Sequence, residues 1–368
     1  MRYYIIAGEA SGDLYGANLM KALREQDPQA EFRFWGGDAM QKEGGEPMRH
    51  IRDLAIMGFV EVVLHLRTVL GNISFCKKDI LDWHPDAVIG IDYPGFNLKI
   101  EKWAHEHSFK TIHYISPQLW AWKKGRLKGM RQYLDRLCYI LPFEQQFYAE
   151  NDMPQALYVG HPLVEIIHGR PQDEPFVFDG RPIIALLPGS RKQELKKSLP
   201  GMVRLARRHP EYHFVVGGMT LLGKAMYEKH IPADAGFTVV YDQTYRLLSQ
   251  AFAAVVCSGT ATLETGLFHV PQVVCYRGNP ISIAIAKALV GRHINHIALI
   301  DLIDDSNVVT ELLQQDFNDQ RLEEEFRLIT TDTANRELML EGYRRVEQKL
   351  GDAGASRRAA EVIIETIK

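Results

Sequence analysis

Short apolar runs alternate with longer segments of helical spacing along most of the chain. YYIIA, EFRFWG, DAVIGID, KTIHYIS, DRLCYIL and ALYVG follow one another up to about Gly160, each trailed by helix-compatible sequence. Runs of this length that are apolar nearly throughout mark strands buried on both faces, and the series predicts a parallel sheet covered by helices. Residues 168–182, HGRPQDEPFVFDGRP, break the pattern with three prolines, two glycines and mixed charge, and read as a linker. The pattern then restarts with PIIALLPGSR, YHFVVGG, FTVVYD, AFAAVVCSGTA and PQVVCYR, and from about Asp316 onward it is helical and rich in Glu and Arg. The expected architecture is α/β: two Rossmann-like doubly wound domains, 1–167 and 183–345, joined by the linker 168–182 and facing a central cleft. A helical tail, 346–368, is expected to pack back on the first domain or on a partner chain.

Composition narrows this picture. A chain of 368 residues exceeds what one hydrophobic core usually organises. Apolar residues make up 46% and charged ones 24%, which is a globular balance, and a net charge of −3 gives no global attraction to nucleic acid. Cys76, Cys138, Cys257 and Cys275 are widely spaced and form no CxxC pair, so they read as reduced thiols rather than zinc ligands or disulfides. No secretory signal pattern opens the chain and no apolar run reaches the 18 or so residues of a spanning helix, so any membrane association is expected at the surface.

Four turns carry candidate chemistry. AGEASGD follows the first strand, with Glu9 and Asp13 among small residues, and Asp13 is placed as an N-cap for a helix over 14–24. Either Gly8 and Gly12 simply supply backbone freedom to a capped turn, or the turn meets a ligand at the carboxyl end of the sheet. IGIDYPGFN ends a strand with Asp92 and reaches Asn97 at the next helix start; a carboxylate there can serve as a base. ALLPGSRKQE brings Ser190 and Arg191 to a helix start, and CSGTATLE does the same with Ser258, Gly259 and Thr260, with Glu264 a turn further on. Two anion-binding helix starts in one domain suit a nucleotide diphosphate. Neither GxxxxGK[ST] nor GxGxxG is present. His113, on a strand pattern, reads as a core histidine.

Two further stretches point toward lipid. Between Leu54 and Leu66 the only formal charge is Glu61. In WAWKKGRLKGMRQYLDR, Trp120 and Trp122 stand beside Lys123, Lys124, Arg126, Lys128 and Arg131. Each stretch alone is compatible with a core helix or a solvated basic face; together they suit an anionic membrane surface or a phosphorylated lipid.

The ordered series AGEASGD, LAIMGFVEVV, GIDYPGFN, HYISPQLWAW, LPFE, GHPL, LLPGSR and SGTATLE resembles the lipid-A-disaccharide synthase family, from Tyr4 to about Tyr276. The resemblance implies a GT-B fold and a metal-independent, cofactor-free, inverting transfer from UDP-2,3-diacylglucosamine to the 6-hydroxyl of 2,3-diacylglucosamine 1-phosphate. The products would be UDP and a β-1,6 disaccharide 1-phosphate. It implies Asp92 as the base and Arg191 as the group neutralising the leaving diphosphate. Glu9 would be directed at sugar hydroxyls, Ser190, Ser258, Gly259 and Thr260 at the UDP phosphates, and Glu264 at the ribose. Ser11, Asn97, Met57, Phe59, Val62, Leu66, Trp120, Trp122, Lys123 and Arg126 would lie on the acceptor and lipid side. It also implies work at the cytoplasmic face of the inner membrane and is compatible with a homodimer through the C-terminal helices. Family members usually have Asn where HIALIDLI has Asp301, and an ionised carboxylate cannot donate to a uridine or phosphate. Two other readings are a UDP-GlcNAc 2-epimerase, which would not need the apolar and Trp-basic stretches, and a non-catalytic nucleotide-sugar or lipid-binding protein.

Overall fold

The computed structural model describes residues 1–54, 66–120, 124–232, 237–278 and 296–368. They form two compact units: Met1–Glu165 together with Asp352–Lys368, and Ile166–Gly351.

The first unit is built on a seven-stranded sheet of β1 (Arg2–Ala7), β2 (Glu31–Gly36), β3 (Glu46–His50), β4 (Ala87–Ile91), β5 (Lys110–Tyr114), β6 (Arg136–Tyr139) and β7 (Ala156–Tyr158). The order is β3-β2-β1-β4-β5-β6-β7 and every pairing is parallel. The second unit holds β8 (Ile183–Leu187), β9 (His213–Gly218), β10 (Thr238–Tyr241), β11 (Ala253–Cys257), β12 (Gln272–Tyr276) and β13 (Thr310–Leu313), ordered β10-β9-β8-β11-β12-β13 and again all parallel. The fold class is therefore α/β with two doubly wound sheets, as the periodicity predicts. In both sheets the order reverses beside the first strand, between β1 and β4 and between β8 and β11. Crevices that take ligands form at such points, outside the carboxyl ends of the strands.

The apolar runs are central because they can be: β1, β4, β8 and β11 are buried almost throughout. β3 and β13 were not foreseen. Both are edge strands, EPMRH and TELL, where one flank needs no apolar partner and charge is tolerated.

Asp13 corrects the expected cap. Helix Ala10–Gln26 begins four residues earlier, with Glu9 in the N-cap position. Asp13 points away from its own helix start: its carboxylate accepts from the backbone N–H of Gly37 at 2.6 Å, Ala39 at 3.0 Å and Met40 at 3.0 Å. It thus serves the start of helix Asp38–Lys42, whose first donors have no partner within that helix. Gly37 is small for the same reason, since a Cβ there would sit 2.6 Å from Asp13 Oδ2.

Helix Ala355–Ile367 packs on helix Ala10–Gln26 and on β5 and β6 of the first unit. Arg358 ties it down by donating to the carbonyls of Val159 at 2.8 Å, Ala353 at 3.1 Å and Asp352 at 3.2 Å. All four cysteines are buried free thiols. No described helix is long and apolar enough to cross a membrane.

Candidate active site

At the reversal point of the first sheet, Ala7 of β1 pairs with Ile91 of β4, so Gly8 and Asp92 are the next residues on adjacent strands. Asp92 and Tyr93 both adopt left-handed backbone conformations, with φ of 44° and 48°. Two consecutive non-glycine residues in that region store strain, which persists only where the surroundings hold it. Two contacts do so. The Tyr93 ring covers Gly8, where a Cβ would lie 2.5 Å from ring Cδ1. Asn97, fully buried, donates its amide to the carbonyls of Asp92 at 2.7 Å, Ile6 at 3.1 Å and Ile91 at 3.3 Å. Asn97 therefore joins the diverging ends of β1 and β4 from beneath. Its amide nitrogen is thereby taken up by the scaffold. Glu9 lies near enough to Tyr93 that its charge, after burial, pushes the phenol pKa upward. The structure thus brings Gly8, Glu9, Asp92 and Tyr93 together, and Ser11 follows in the first turn of helix Ala10–Gln26.

The second sheet repeats the geometry. Leu187 of β8 pairs with Val256 of β11, and a Cβ at Gly189 would lie 3.3 Å from Cys257 Sγ, so the PGSR and CSGTATLE loops run side by side. The PGSR loop differs from expectation in one respect. The Glu194 carboxylate already accepts from the backbone N–H of Ser190 at 3.1 Å and Arg191 at 3.2 Å, and it pairs with the Arg191 guanidinium at 3.0 Å. These backbone donors are committed to the helix's own acid, so an incoming anion would meet the half-exposed Arg191 guanidinium, itself paired with Glu194, and the Ser190 hydroxyl. Gly259 is the N-cap residue of helix Thr260–Leu267, with φ 153° and open space where a Cβ would stand. A ligand can approach that backbone closely, facing helix-start N–H groups that have no partner inside the helix. Glu264 is half-buried one turn further on. Tyr245 donates its hydroxyl to Glu264 Oε1 at 2.8 Å, and the Arg170 guanidinium lies 5.1 Å over the Tyr245 ring. Burial pushes the Glu264 carboxyl above its ordinary pKa.

Tyr93, Tyr245 and Glu194 escaped the sequence reading. Tyr93 stands inside IGIDYPGFN and Tyr245 in the helix that follows β10, and no spacing singles out either. Glu194, three residues after Arg191, was legible as half of a capping box.

Asp301 is fully buried and structural. Its Oδ1 accepts from the backbone N–H of Val308 at 2.8 Å and Val309 at 3.0 Å, Oδ2 accepts no hydrogen bond among the described residues and has His296 Nδ1 3.9 Å away, and burial pushes the acid up to about 7. His113 is the core histidine expected, its Nδ1 2.7 Å from Glu101 Oε1 in the interior of the first unit.

On the lipid side, Trp120 meets Phe143 edge-on at 5.1 Å between ring centres. Helix Arg126–Tyr133 buries Leu127 and Met130 and turns Lys128 and Arg131 to solvent, with Arg126 half-buried. Met57, Phe59, Val62, Trp122 and Lys123 lie outside the described residues, and Leu66 is described only as the first backbone position of helix Leu66–Trp83.

Two doubly wound units, each with polar loops at its reversal point, define the GT-B class of fold. An architecture of this kind recurs in the kitacinnamycin glycosyltransferase, with TM-score 0.65 at 14% identity, covering 100% of this chain and 99% of that one. It recurs also in the UDP-GlcNAc 2-epimerase of Neisseria meningitidis, with TM-score 0.69 at 12% identity, covering 99% of this chain and 100% of that one. At such identities the likeness concerns the fold. The Lipid-A-disaccharide synthetase family model matches residues 3–365, and the chain belongs to that family. It is 34% identical over 377 residues to the lipid-A-disaccharide synthase of Trichlorobacter lovleyi, covering 100% of this chain and 98% of that protein. The protein is accordingly a glycosyltransferase.

Proposed function

We propose that the chain transfers 2,3-diacylglucosamine from UDP-2,3-diacylglucosamine to the 6-hydroxyl of 2,3-diacylglucosamine 1-phosphate, forming the β-1,6 disaccharide 1-phosphate and UDP. Family membership over residues 3–365 carries this reading. In the proposed step the acceptor oxygen attacks the anomeric carbon of the donor and the bond to UDP breaks with its electron pair. The hydroxyl proton passes to Asp92. The strained backbone of Asp92 and Tyr93, braced by Asn97 and Gly8, supports that role, because it fixes the carboxylate's base at a sheet reversal. Glu9 would hold acceptor hydroxyls.

Arg191 would neutralise the departing diphosphate, a charge that grows in the transition state and is therefore where a fixed cation helps most. The Thr260 helix start and Ser258 would hold the phosphates, and Glu264, oriented by Tyr245, the ribose. The basic face of helix Arg126–Tyr133 supports contact with an anionic membrane surface at the cytoplasmic side, where the diacylated substrates would be presented.

The test is UDP release with product mass from the two diacylated substrates, comparing the wild type with Asp92→Asn. A disaccharide phosphate made by the wild type and lost in the variant, with UDP binding intact, supports the reading. UDP-GlcNAc turnover without any disaccharide overturns it in favour of epimerisation.

A further inference from the structure

Away from both reversal points, the second unit has a cavity of about 250 Å³ on the flank of helix Lys192–Ala206. Four cationic side chains line it, Lys196, Lys197, Arg204 and Arg277, against one carboxylate, Asp319. The sequence builds this locally. Lys197 and Arg204 are seven residues apart and share a helix face, with Lys196 beside them. The floor is the buried ring of Phe317, pressed on Gly201, where a Cβ would lie 3.0 Å from ring Cζ. Only a residue without a side chain leaves the floor that deep.

The charges are not balanced within the pocket. Asp319 is taken by Arg204 in a forked pair, at 2.8 Å and 3.0 Å to Nε and 2.8 Å to Nη2. Arg277 lies over the Phe317 ring at 5.2 Å and donates Nε to the Gln314 carbonyl at 3.3 Å and Nη2 to the Phe317 carbonyl, which fixes its guanidinium at the rim with the Nη1 side turned away from these carbonyls. Among the described residues, Lys196, Lys197 and Arg277 form no ion pair. Three uncompensated cations around one concavity repel one another, and an apolar floor strengthens the field by excluding water. A multiply charged anion relieves that repulsion. A phosphate monoester fits best in kind: its tetrahedral oxygens accept from ammonium groups arriving at different angles and from the Nη1 side of the Arg277 guanidinium, whose other edge is held by the Gln314 and Phe317 carbonyls.

We propose that this pocket binds a phosphate monoester, at a site separate from the nucleotide-phosphate loops of β8 and β11. The group can belong to a lipid headgroup or to a small phosphorylated molecule. Its donors are Lys196, Lys197 and Arg277, none of which is assigned to the transfer reaction.

The experiment uses the full chain saturated with UDP, so that the nucleotide site is filled, and titrates inorganic phosphate by calorimetry. In parallel it measures flotation with phosphatidylcholine vesicles with and without phosphatidic acid. Lys196→Ala/Lys197→Ala and Arg277→Gln are compared with the wild type, and UDP affinity and thermal unfolding verify each variant's fold. The expected result is phosphate binding in the presence of UDP that weakens at least tenfold in both variants while UDP affinity stays unchanged. Phosphatidic acid-dependent flotation that weakens likewise, with no soluble phosphate bound, identifies the source as a headgroup. Displacement of phosphate by UDP, loss of UDP affinity in the lysine variant, or binding of both probes by the variants as by the wild type overturns the proposal.

Discussion

The Tyr93 ring occupies the space where a side chain at Gly8 would have to stand, a Cβ there falling 2.5 Å from ring Cδ1. Gly8→Ala should therefore force the ring and its left-handed backbone to move, at an overpacking cost of about 1–3 kcal/mol, and depress turnover with it. Gly8→Ala/Tyr93→Ala should recover part of the stability and little of the activity. Urea unfolding of the single and double variants reads this out; strictly additive losses would show that the two residues do not contend for one space.

Asn97→Ala removes the donor shared by the carbonyls of Ile6, Ile91 and Asp92, leaving buried acceptors unpaired at a cost of about 1–3 kcal/mol. If Asn97 holds Asp92 in place, kcat should fall by tenfold or more with KM for the acceptor nearly unchanged. A rise in acceptor KM at constant kcat would instead make Asn97 a group that acts through substrate binding.

Tyr245→Phe deletes the hydroxyl that donates to Glu264 Oε1. The loss of one such bond, about 0.5–1.5 kcal/mol, corresponds to UDP binding weaker by roughly two- to tenfold. Glu264→Gln should weaken it further by removing the acceptor charge. Fluorescence titration with UDP distinguishes this from a ribose site built elsewhere, for which both variants would bind normally.

Asp301 gives the protein a pH dependence of definite sign. Its acid is pushed by burial from an ordinary 3.8 to about 7, with the Glu311 and Asp304 charges adding to the rise, the N–H groups of Val308 and Val309 opposing it, and His296 3.9 Å away. Between about pH 4 and pH 7 the unfolded chain ionises this group while the folded chain keeps it neutral. Its contribution is thus complete below pH 4 and lost as pH rises to 7, a loss on the order of a few kcal/mol. Asp301→Asn retains an oxygen for Val308 and Val309 and has no proton to lose. The variant should match the wild type near pH 4 and exceed its unfolding free energy near pH 8, and equal stabilities at both pH values would refute the assignment.

If helix Arg126–Tyr133 meets an anionic bilayer through Arg126, Lys128 and Arg131, flotation with phosphatidylglycerol vesicles should weaken steeply between low salt and 1 M, where screening shortens to about 3 Å. Binding that is indifferent to salt would place the attachment on apolar contacts.

The sequence was most informative where burial is two-sided. Runs such as AVIGI and AAVVC have to be central strands, and the turns that follow them have to be small and polar, which is what makes Asp92, Arg191 and Glu264 stand out as candidates in the sequence. It was least informative where a residue's partner is remote. Asp13 reads as a cap for the helix that contains it, yet its three acceptor bonds go to residues 37–40, a choice made by how two helices pack. Asn97 reads as a ligand-facing polar group, and only the parallel pairing of β1 with β4 shows that the carbonyls it serves belong to the scaffold. β3 and β13 were missed because an edge strand can be charged and short.

Helix Ala355–Ile367 is the last element of the chain described and completes the core of the first unit, after the whole of Ile166–Gly351 has been laid down as another unit. On the ribosome, β1 to β7 emerge before this helix, and the flank of helix Ala10–Gln26 that it covers has to wait, exposed, until Ile166–Gly351 has also been made. Domains made during synthesis generally fold from the amino end. Here the first unit is the one completed later, and the nascent chain carries an unfinished surface while the whole of the second unit is synthesised.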